Sequence, residues 1–261
     1  MKKMPVLFAG HGSPMMALED TPVTQQFTAL GKDIRMQFGT PKAILAISAH
    51  WYTPDTYVQT AKQPRQIYDM YGFPEELYRV VYPVQGCLPL SKSVQSLLGH
   101  DVTVNDEWGI DHGTWTVLVH LFPEADIPVV QLSVAQRLTT TEAYAIGERL
   151  APLRDEGYLI VASGNIVHNL ARVEWHMRGG SPMAEEFSNQ IRNAVVRRAD
   201  EAVLQYTMLP QARYAVPVPD HFMPLVYVLG ATKGEVPQVF NDHCELGALS
   251  MTGFAFGMDK K

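Results

Sequence analysis

The stretch Pro5-Val6-Leu7-Phe8-Ala9 is an unbroken apolar run that stops at Gly10-His11, and it decides the fold. Further runs of the same kind lie at residues 43–47, 127–132 and 158–162. Strands that are apolar at every position, rather than at alternate positions, are buried on both faces. The sequence therefore predicts a central, largely parallel sheet that is covered by helices.

Segments with helical periodicity lie between these runs. The clearest is Pro22–Phe38, where Thr21 is suited to cap the helix and Pro22 to occupy its first position. The stretch Thr139-Thr140-Thr141-Glu142 has the capping-box pattern of a second helix start. The other predicted helices span residues 90–98, 114–122, 140–156 and 183–206. Strands that alternate with helices, without a repeat or a linker, predict one α/β domain over residues 1–261.

The composition excludes several classes of protein. With 46% hydrophobic residues and 18% charged residues, the chain has the composition of a globular protein, which excludes disorder. The net charge is −6 and no basic stripe is present, so we expect no nucleic-acid partner. The two cysteines predict free thiols in a reducing compartment, and no run reaches the length of a membrane span. We expect a soluble cytoplasmic protein without a membrane partner, either a monomer or a small homo-oligomer.

Histidines stand where the predicted strands and helices end or begin. His11 follows the first strand, His50 follows the second, and His168 comes six residues after the fourth run; His112 and His221 each precede a helical segment. In parallel α/β sheets the functional groups gather beyond the carboxyl ends of the strands. Imidazole is the commonest metal ligand among side chains. The pattern predicts a metal site at the carboxyl ends of the strands.

Other catalytic motifs do not fit this sequence. Gly10-His11-Gly12 is not followed by the third glycine of a dinucleotide-binding turn, and no HExxH motif is present. Ser163 follows a strand, but Ser163-Gly164-Asn165 lacks the GxSxG pattern of a nucleophile elbow. A serine hydrolase therefore has little support.

Five short motifs, taken in order, resemble those of the class III extradiol ring-cleavage dioxygenases. They are Gly10-His-Gly-Ser-Pro14, Ser48-Ala-His-Trp51, Asp111-His-Gly-Thr-Trp115, Ser163-Gly-Asn-Ile-Val-His-Asn169 and His221-Phe-Met-Pro-Leu225. Each motif is weak alone, but the set covers most of the chain. The motifs are most similar to those of the bacterial 4,5-DOPA extradiol group. The resemblance implies O2 and a DOPA-like catechol, opened between carbons 4 and 5, as substrates.

The resemblance also implies roles for the histidines. His11, His50 and His221 would hold one divalent metal, His168 would act as the catalytic base or as a fourth ligand, and His112 would lie near the substrate oxygens. The better-known members complete their iron site with a carboxylate, whereas this motif offers His221. An all-histidine site suits Zn(II), while oxygen chemistry needs a redox metal. We therefore expect Zn(II) in the protein as found and Fe(II) in the active enzyme.

Recognition of the substrate depends on residues outside these motifs. The aromatic-rich stretch at residues 51–82 is suited to wall a pocket for a flat ring. Arg65, Arg79 and Arg172 are candidates for binding a substrate carboxylate. Asn165 and Asn169 predict a polar turn that orients the His168 imidazole.

Three other functions fit the same histidines. A zinc-dependent hydrolase would use a metal-bound hydroxide and would need neither O2 nor iron. A tetrapyrrole chelatase also carries an HGS turn after its first strand, but it has no need of His50 and His168 together. A zinc-binding protein without catalytic activity is the third. Oxygen consumption with catechols and Fe(II) separates the dioxygenase from all of them.

Overall fold

An eight-stranded sheet runs through the protein, which the computed structural model describes over residues 2–259. The strands of this sheet and of a separate two-stranded pair are, in chain order, β1 (Val6–Gly10), β2 (Ala43–Thr53), β3 (Tyr57–Val58), β4 (Thr103–Val104), β5 (Val129–Ala135), β6 (Tyr158–Gly164), β7 (Gln238–Phe240), β8 (Cys244–Glu245), β9 (Leu249–Ser250) and β10 (Gly253–Phe256). The order in the sheet is β4-β3-β5-β2-β6-β1-β10-β7, and β8 pairs with β9 separately. The four strands at its centre, β5-β2-β6-β1, are all parallel, which confirms the prediction from the apolar runs.

Helices cover both faces of the sheet in a single α/β domain. They are α1 (Pro22–Phe38), α2 (Glu75–Tyr78), α3 (Leu88–Leu98), α4 (His112–Leu121), α5 (Thr140–Leu150), α6 (Pro182–Val196), α7 (Asp200–Leu204), α8 (Ala212–Ala215) and α9 (Met223–Ala231). Alternate residues of β1 face opposite layers: Val6 and Phe8 pack in the cluster with α3, α5, α6 and α9, while Leu7 and Ala9 pack in the cluster with α1 and α4. This two-sided burial is the reason why the strand is apolar throughout.

Helix starts follow the prediction more closely than helix ends. Thr21 caps α1 and Thr139 forms a capping box with Glu142 at the start of α5. The predicted helix over 140–156 is too long, because Pro152 lacks an amide hydrogen and the α-helix gives way to a 3-10 turn after Leu150. The predicted helix over 183–206 is also interrupted, since it ends at Val196 and Arg198 takes a left-handed φ of 55°.

Two features of the sheet differ from the prediction. The C-terminal strand β10 pairs antiparallel with β1, and β7 pairs antiparallel with β10, so this edge of the sheet is antiparallel. His50 does not follow the second strand but lies inside it. There β2 continues to Thr53 across a shift in its register with β5 between Ser48 and Tyr52. Over residues 2–259, no helix is long and apolar enough to cross a membrane.

Candidate metal centre

Five histidines meet at the carboxyl edge of the central strands. They are His11 directly after β1, His50 within β2, His112 at the start of α4, His168 after β6 and His221 in the 3-10 turn before α9. The parallel strands end at the same edge, so residues that are distant in sequence come together there. All five residues that the sequence analysis singled out thus lie in one cluster.

Three of these rings form a nearly equilateral triangle. The ring centroids of His11 and His50 are 5.0 Å apart, those of His11 and His221 are 5.1 Å apart, and those of His50 and His221 are 5.0 Å apart. The Nε2 atoms of His11 and His50 are separated by 3.1 Å. Two nitrogens that share one ion at about 2.0–2.1 Å each lie roughly 3 Å apart. This part of the site therefore has the dimensions of a metal centre.

His11 is oriented by a serine on the neighbouring strand. The Ser163 hydroxyl donates a hydrogen bond to the Gly113 carbonyl, and its oxygen lies 2.8 Å from His11 Nδ1. Because the serine hydrogen is already used, Nδ1 of His11 must be the donor of that bond. The lone pair of neutral His11 is therefore on Nε2, which faces His50. Ser163 thus positions an imidazole, and it is not placed as a nucleophile.

Asp69 supports two further histidines, and the sequence analysis missed it. Its Oδ2 lies 3.0 Å from His50 Nδ1, and its Oδ1 lies 3.0 Å from His112 Nδ1. The same Oδ1 accepts a hydrogen bond of 2.9 Å from the His112 backbone amide. Burial alone would raise the pKa of Asp69, but its contacts with His112 and His50 hold that pKa well below its usual range. Asp69 is therefore a carboxylate shared between two imidazoles.

The contact between His11 and His50 requires a positive species. Burial lowers the pKa of His11 well below its ordinary value, and the neighbouring histidines lower it further. Burial also acts to lower the pKa of His50, but the hydrogen bond to Asp69 and the charges of Asp111 and Asp69 raise it overall. Two neutral Nε2 lone pairs at 3.1 Å would repel each other. A proton on His50 or a metal ion relieves that repulsion, so the donor set fits a cation.

His168 and His221 are arranged in a different way. Their rings stack face to face, with centroids 3.4 Å apart and planes inclined by 3°. Burial lowers the pKa of His168 to about 4, and burial lowers the pKa of His221 well below its ordinary value, so both rings are neutral at pH 7. His221 Nδ1 lies 3.0 Å from Asp220 Oδ1, yet neither buried ring nitrogen of His221 makes a hydrogen bond within residues 2–259. A buried nitrogen without a partner is costly, and a metal ion would provide one.

Nitrogen and oxygen atoms of the cluster fall into two groups that are compact enough to hold an ion. One group is His11, His50 and His112, and the other is His168, Asp220 and His221; within each, the ligand atoms lie within 4.8 Å of one another. His221 thus groups with Asp220 by atom distance, although its ring completes the triangle with His11 and His50.

The turn that carries His168 is held by its asparagines, but not in the predicted way. The Asn165 amide donates to the Ser250 carbonyl at 2.8 Å, and the Asn169 amide donates to the Tyr214 carbonyl at 2.6 Å. Within residues 2–259 neither side chain is hydrogen-bonded to the imidazole, so the prediction that they orient it is wrong. They fix the backbone of the turn. Gly164 contributes by lacking a Cβ, because a Cβ would collide with the carbonyl oxygen of His221.

The first turn of α4 packs directly against His50. Asp111 caps this helix and is fully buried, accepting hydrogen bonds from the Ser48 hydroxyl at 2.6 Å and from the Thr114 amide at 3.2 Å. A Cβ on Gly113 would lie 2.7 Å from His50 Cδ2. The Asp-His-Gly sequence is therefore explained by capping, by the position of His112, and by the close approach of the helix to β2.

Two cavities are lined by residues that lie close to a site histidine in the sequence, but neither is lined by one of the five site histidines. One of about 270 Å³ is lined by Tyr52, Tyr206 and Pro219 and lies next to the turn that carries His221. The other, of about 730 Å³, is lined by Ser13 and Arg178 together with methionine side chains.

The candidate arginines differ in their availability. The Arg65 guanidinium donates to the Glu107 carbonyl, and the Arg79 guanidinium forms an ion pair of 2.8 Å with Glu75. Arg172 is exposed and has no polar partner within residues 2–259. Arg178, which the sequence analysis did not consider, is likewise exposed and unpaired there and faces a cavity.

The comparisons with known proteins all point to the same family. Residues 5–257 match the model of the catalytic LigB subunit of aromatic ring-opening dioxygenase. The chain is 39% identical over 262 residues to a 4,5-DOPA dioxygenase extradiol of Escherichia coli K12, covering 98% of this chain and 95% of that protein. It is 36% identical over 255 residues to the protein of the same name from Beta vulgaris, covering 95% of each.

A solved structure has the same fold. The crystal structure of an uncharacterized protein from Escherichia coli K12 superposes with a TM-score of 0.83 at 36% sequence identity. The match covers 97% of this chain and 99% of that chain. The architecture described above therefore belongs to a fold that has been observed experimentally.

Proposed function

The chain belongs to the family of the catalytic LigB subunit of aromatic ring-opening dioxygenases and is a metal-dependent extradiol dioxygenase, and from this premise we propose that it opens a DOPA-like catechol between carbons 4 and 5. The curated relatives that carry the name 4,5-DOPA dioxygenase extradiol support this choice of substrate. The observation that carries the proposal is the triangle of three histidine rings with two further histidines beside it. Family membership also decides against the hydrolase, chelatase and non-catalytic alternatives.

We assign the single metal to His11, His50 and His221. The tautomer set by Ser163 directs the lone pair of His11 toward His50, and Asp69 directs Nε2 of His50 away from the carboxylate. His221 has buried ring nitrogens without hydrogen bonds, and burial keeps it neutral, as a ligand must be. We propose that Zn(II) is the metal found in the protein and that Fe(II) supports turnover.

When bound, the metal acidifies the catechol hydroxyls and, as Fe(II), supplies the redox capacity that reaction with O2 requires. His112 has its Nδ1 beside Asp69, so Nε2 is left to accept a hydrogen bond from a substrate hydroxyl. His168 is neutral because burial lowers its pKa, so it is able to take up a proton, and the charge of Asp220 favours its protonated form. We therefore propose His168 as the base and His112 as the group that orients the substrate oxygens.

The segment at residues 170–178 is our candidate for binding the carboxylate of an amino-acid substrate. It begins just after His168, and it carries Arg172 and Arg178, two exposed arginines whose side chains have no polar partner within residues 2–259. Arg65 and Arg79 are already engaged with groups of the protein itself. A guanidinium forms strong, paired hydrogen bonds with a carboxylate.

Oxygen uptake on a panel of catechols tests this function. The metal-free protein is loaded with Fe(II) without air and then mixed with O2 and DOPA, dopamine or catechol, while the zinc-loaded protein is the matched control. We expect one O2 consumed per ring opened by the Fe(II) form, the highest kcat/KM for DOPA, and no uptake by the zinc form. Ring opening by protein that is free of iron would refute the metal assignment, and no ring opening with any catechol would refute the function.

A further inference from the structure

Asp69 is the one carboxylate in contact with both a proposed metal ligand and a proposed substrate-orienting residue, among the residues described. Its two oxygens are divided between His50 Nδ1 and His112 Nδ1, each at 3.0 Å. From this geometry we infer that Asp69 is a positioning residue that sets the orientation of both imidazoles together. The inference rests on the proposed function for the role of His112, whereas the role toward His50 needs only a bound metal.

Hydrogen bonds of the backbone hold the segment that carries Asp69 in place. Residues 65–69, which we call the strap, run alongside residues 109–115. The Ile67 amide donates to the Ile110 carbonyl and the Ile110 amide to the Arg65 carbonyl, both at 2.8 Å, and the Trp115 indole donates to the Ile67 carbonyl at 2.9 Å. Gly109 permits this approach, since a Cβ there would collide with the Arg65 carbonyl.

The two histidines that Asp69 contacts are themselves held by α4 and by β2. The His112 backbone amide donates to Asp69 Oδ1 at 2.9 Å, so the strap is tied to the first residue of α4 as well as to its ring. His50 lies on β2, in the centre of the sheet. Asp69 therefore connects the sheet to α4 through two rings whose centroids are only 3.9 Å apart.

One carboxylate on two rings couples their positions. A carboxylate has two oxygens that accept hydrogen bonds, so each ring can present Nδ1–H to Asp69 and turn Nε2 toward the site. Groups that orient metal-ligating histidines in this way change metal affinity by about 10–100-fold when they are removed. No second acceptor for either Nδ1 lies within the described part of the chain. Loss of Asp69 should therefore disturb metal binding and substrate orientation at once.

The substitution Asp69→Asn separates this role from a merely structural one. The amide keeps the size of the side chain but has one acceptor oxygen in place of two, so at most one ring retains its partner. We expect the dissociation constant for Zn(II), measured by competition with a chelating dye, to rise about 10–100-fold. We also expect the visible spectrum of the Co(II) form to change. Asp69→Glu keeps the charge but displaces it, and should weaken zinc binding as well.

Asp106 offers a matched control. It is also a carboxylate that holds a loop, accepting hydrogen bonds from the Thr60 amide and hydroxyl, both at 2.7 Å, but it contacts no histidine. Asp106→Asn should leave the dissociation constant for Zn(II) unchanged. Thermal unfolding of each metal-free variant shows whether it is folded before metal is added.

A double-mutant cycle tests the coupling to His112. Turnover is measured at saturating Fe(II) for Asp69→Asn, for His112→Ala and for the double variant. We expect Asp69→Asn to lower kcat at least tenfold in the parent protein and less than threefold when His112 is already absent. Equal effects in both backgrounds would overturn the link to His112. An unchanged zinc affinity in both Asp69 variants would overturn the link to His50, and that result does not depend on the substrate.

Discussion

The histidine cluster is held differently on its two sides. On the braced side, each Nδ1 of His11, His50 and His112 lies next to a polar group of the protein. On the stacked side, His168 and His221 lie face to face; His221 Nδ1 is 3.0 Å from Asp220, but neither ring nitrogen of His221 makes a hydrogen bond within residues 2–259. The braced side is therefore held by Ser163 and Asp69 before any metal arrives, whereas the stacked side is held mainly by contact between its two rings.

This difference between the two sides indicates how metal binding and proton transfer are distributed among the histidines. Rings that are held beside polar groups of the protein suit a task that needs constant geometry, such as holding a metal. A neutral ring without a fixed partner suits proton transfer, because it can gain a hydrogen bond to the substrate during the reaction. His221 joins the two sides, since its ring contacts His168 by stacking and also completes the triangle with His11 and His50.

The largest effect should come from the braced side. We expect His50→Ala to lose both the metal and ring cleavage, because it removes a ligand and leaves Asp69 as a buried carboxylate with one of its two ring partners. Metal content measured by elemental analysis, together with oxygen uptake, checks this. His100→Ala is the control, since that side chain is 95% exposed and lies outside the cluster. Retention of stoichiometric metal by His50→Ala would show that the braced side is not the metal side.

A variant on the stacked side should separate metal binding from turnover. We expect His168→Ala to keep most of its metal and to lose about 10²–10⁴-fold in ring-cleavage rate, the range for loss of a general base. The same two measurements are made as for His50→Ala. If His168→Ala releases the metal as completely, His168 is a ligand and the contrast between the two sides fails.

The proposed binding of the substrate carboxylate by Arg172 or Arg178 is tested by substitution. We expect Arg178→Met or Arg172→Met to raise the KM for DOPA by about 10–100-fold, in line with the loss of a charge-assisted hydrogen bond. The KM for dopamine, which lacks the carboxylate, should stay unchanged and serves as the internal control. Arg79→Met is the matched variant, because that guanidinium is paired with Glu75. Equal changes for DOPA and dopamine would rule out carboxylate binding.

Histidines from the two sides should also contribute differently to the pH dependence of the free energy of unfolding of the metal-free protein. Burial lowers the pKa of His168 from 6.5 to about 4, so the unfolded chain binds more protons and the free energy of unfolding falls as the pH drops through this window. His168→Gln should flatten this fall by about 1.4 kcal/mol per pH unit. The pKa of His50 is raised, so its contribution is present at low pH and is lost as the pH rises through its folded value. The contribution of His50 is constant below pH 6.5, so His50→Gln should leave the fall toward pH 4 unchanged and should remove a loss of stability above pH 6.5. Urea unfolding between pH 4 and 9 measures both effects, and identical profiles for the two variants would contradict the assigned environments.

Local signals predicted the centre of the fold well. The cap at Thr21 and the proline after it locate the start of α1, and the apolar runs locate the parallel strands. The antiparallel edge of β10 and β7 was missed because its strands are short and because β10 pairs with β1, at the other end of the sequence. Pro152 ends α5 as an interior proline should, and the sequence analysis gave that residue too little weight.

Prediction of the candidate site from sequence was limited in the same way: local patterns were found, but contacts between distant residues were missed. Histidines that stand at strand ends were found from sequence because parallel strands end at a common edge. Asp69 was missed because it lies on a strap with no periodic pattern and far from both of its partners in the chain. The asparagines near His168 were misinterpreted for a related reason: their partners, Ser250 and Tyr214, come from other elements.

A structure of the metal-loaded protein tests the central claim most directly. We predict one ion bound by Nε2 of His11, Nε2 of His50 and a ring nitrogen of His221, at about 2.0–2.1 Å for zinc. Asp69 should remain in contact with Nδ1 of His50, and His168 should lie outside the ligand set. An ion bound by His112 in place of His221, or by His168 as a fourth ligand, would contradict this assignment of the metal ligands.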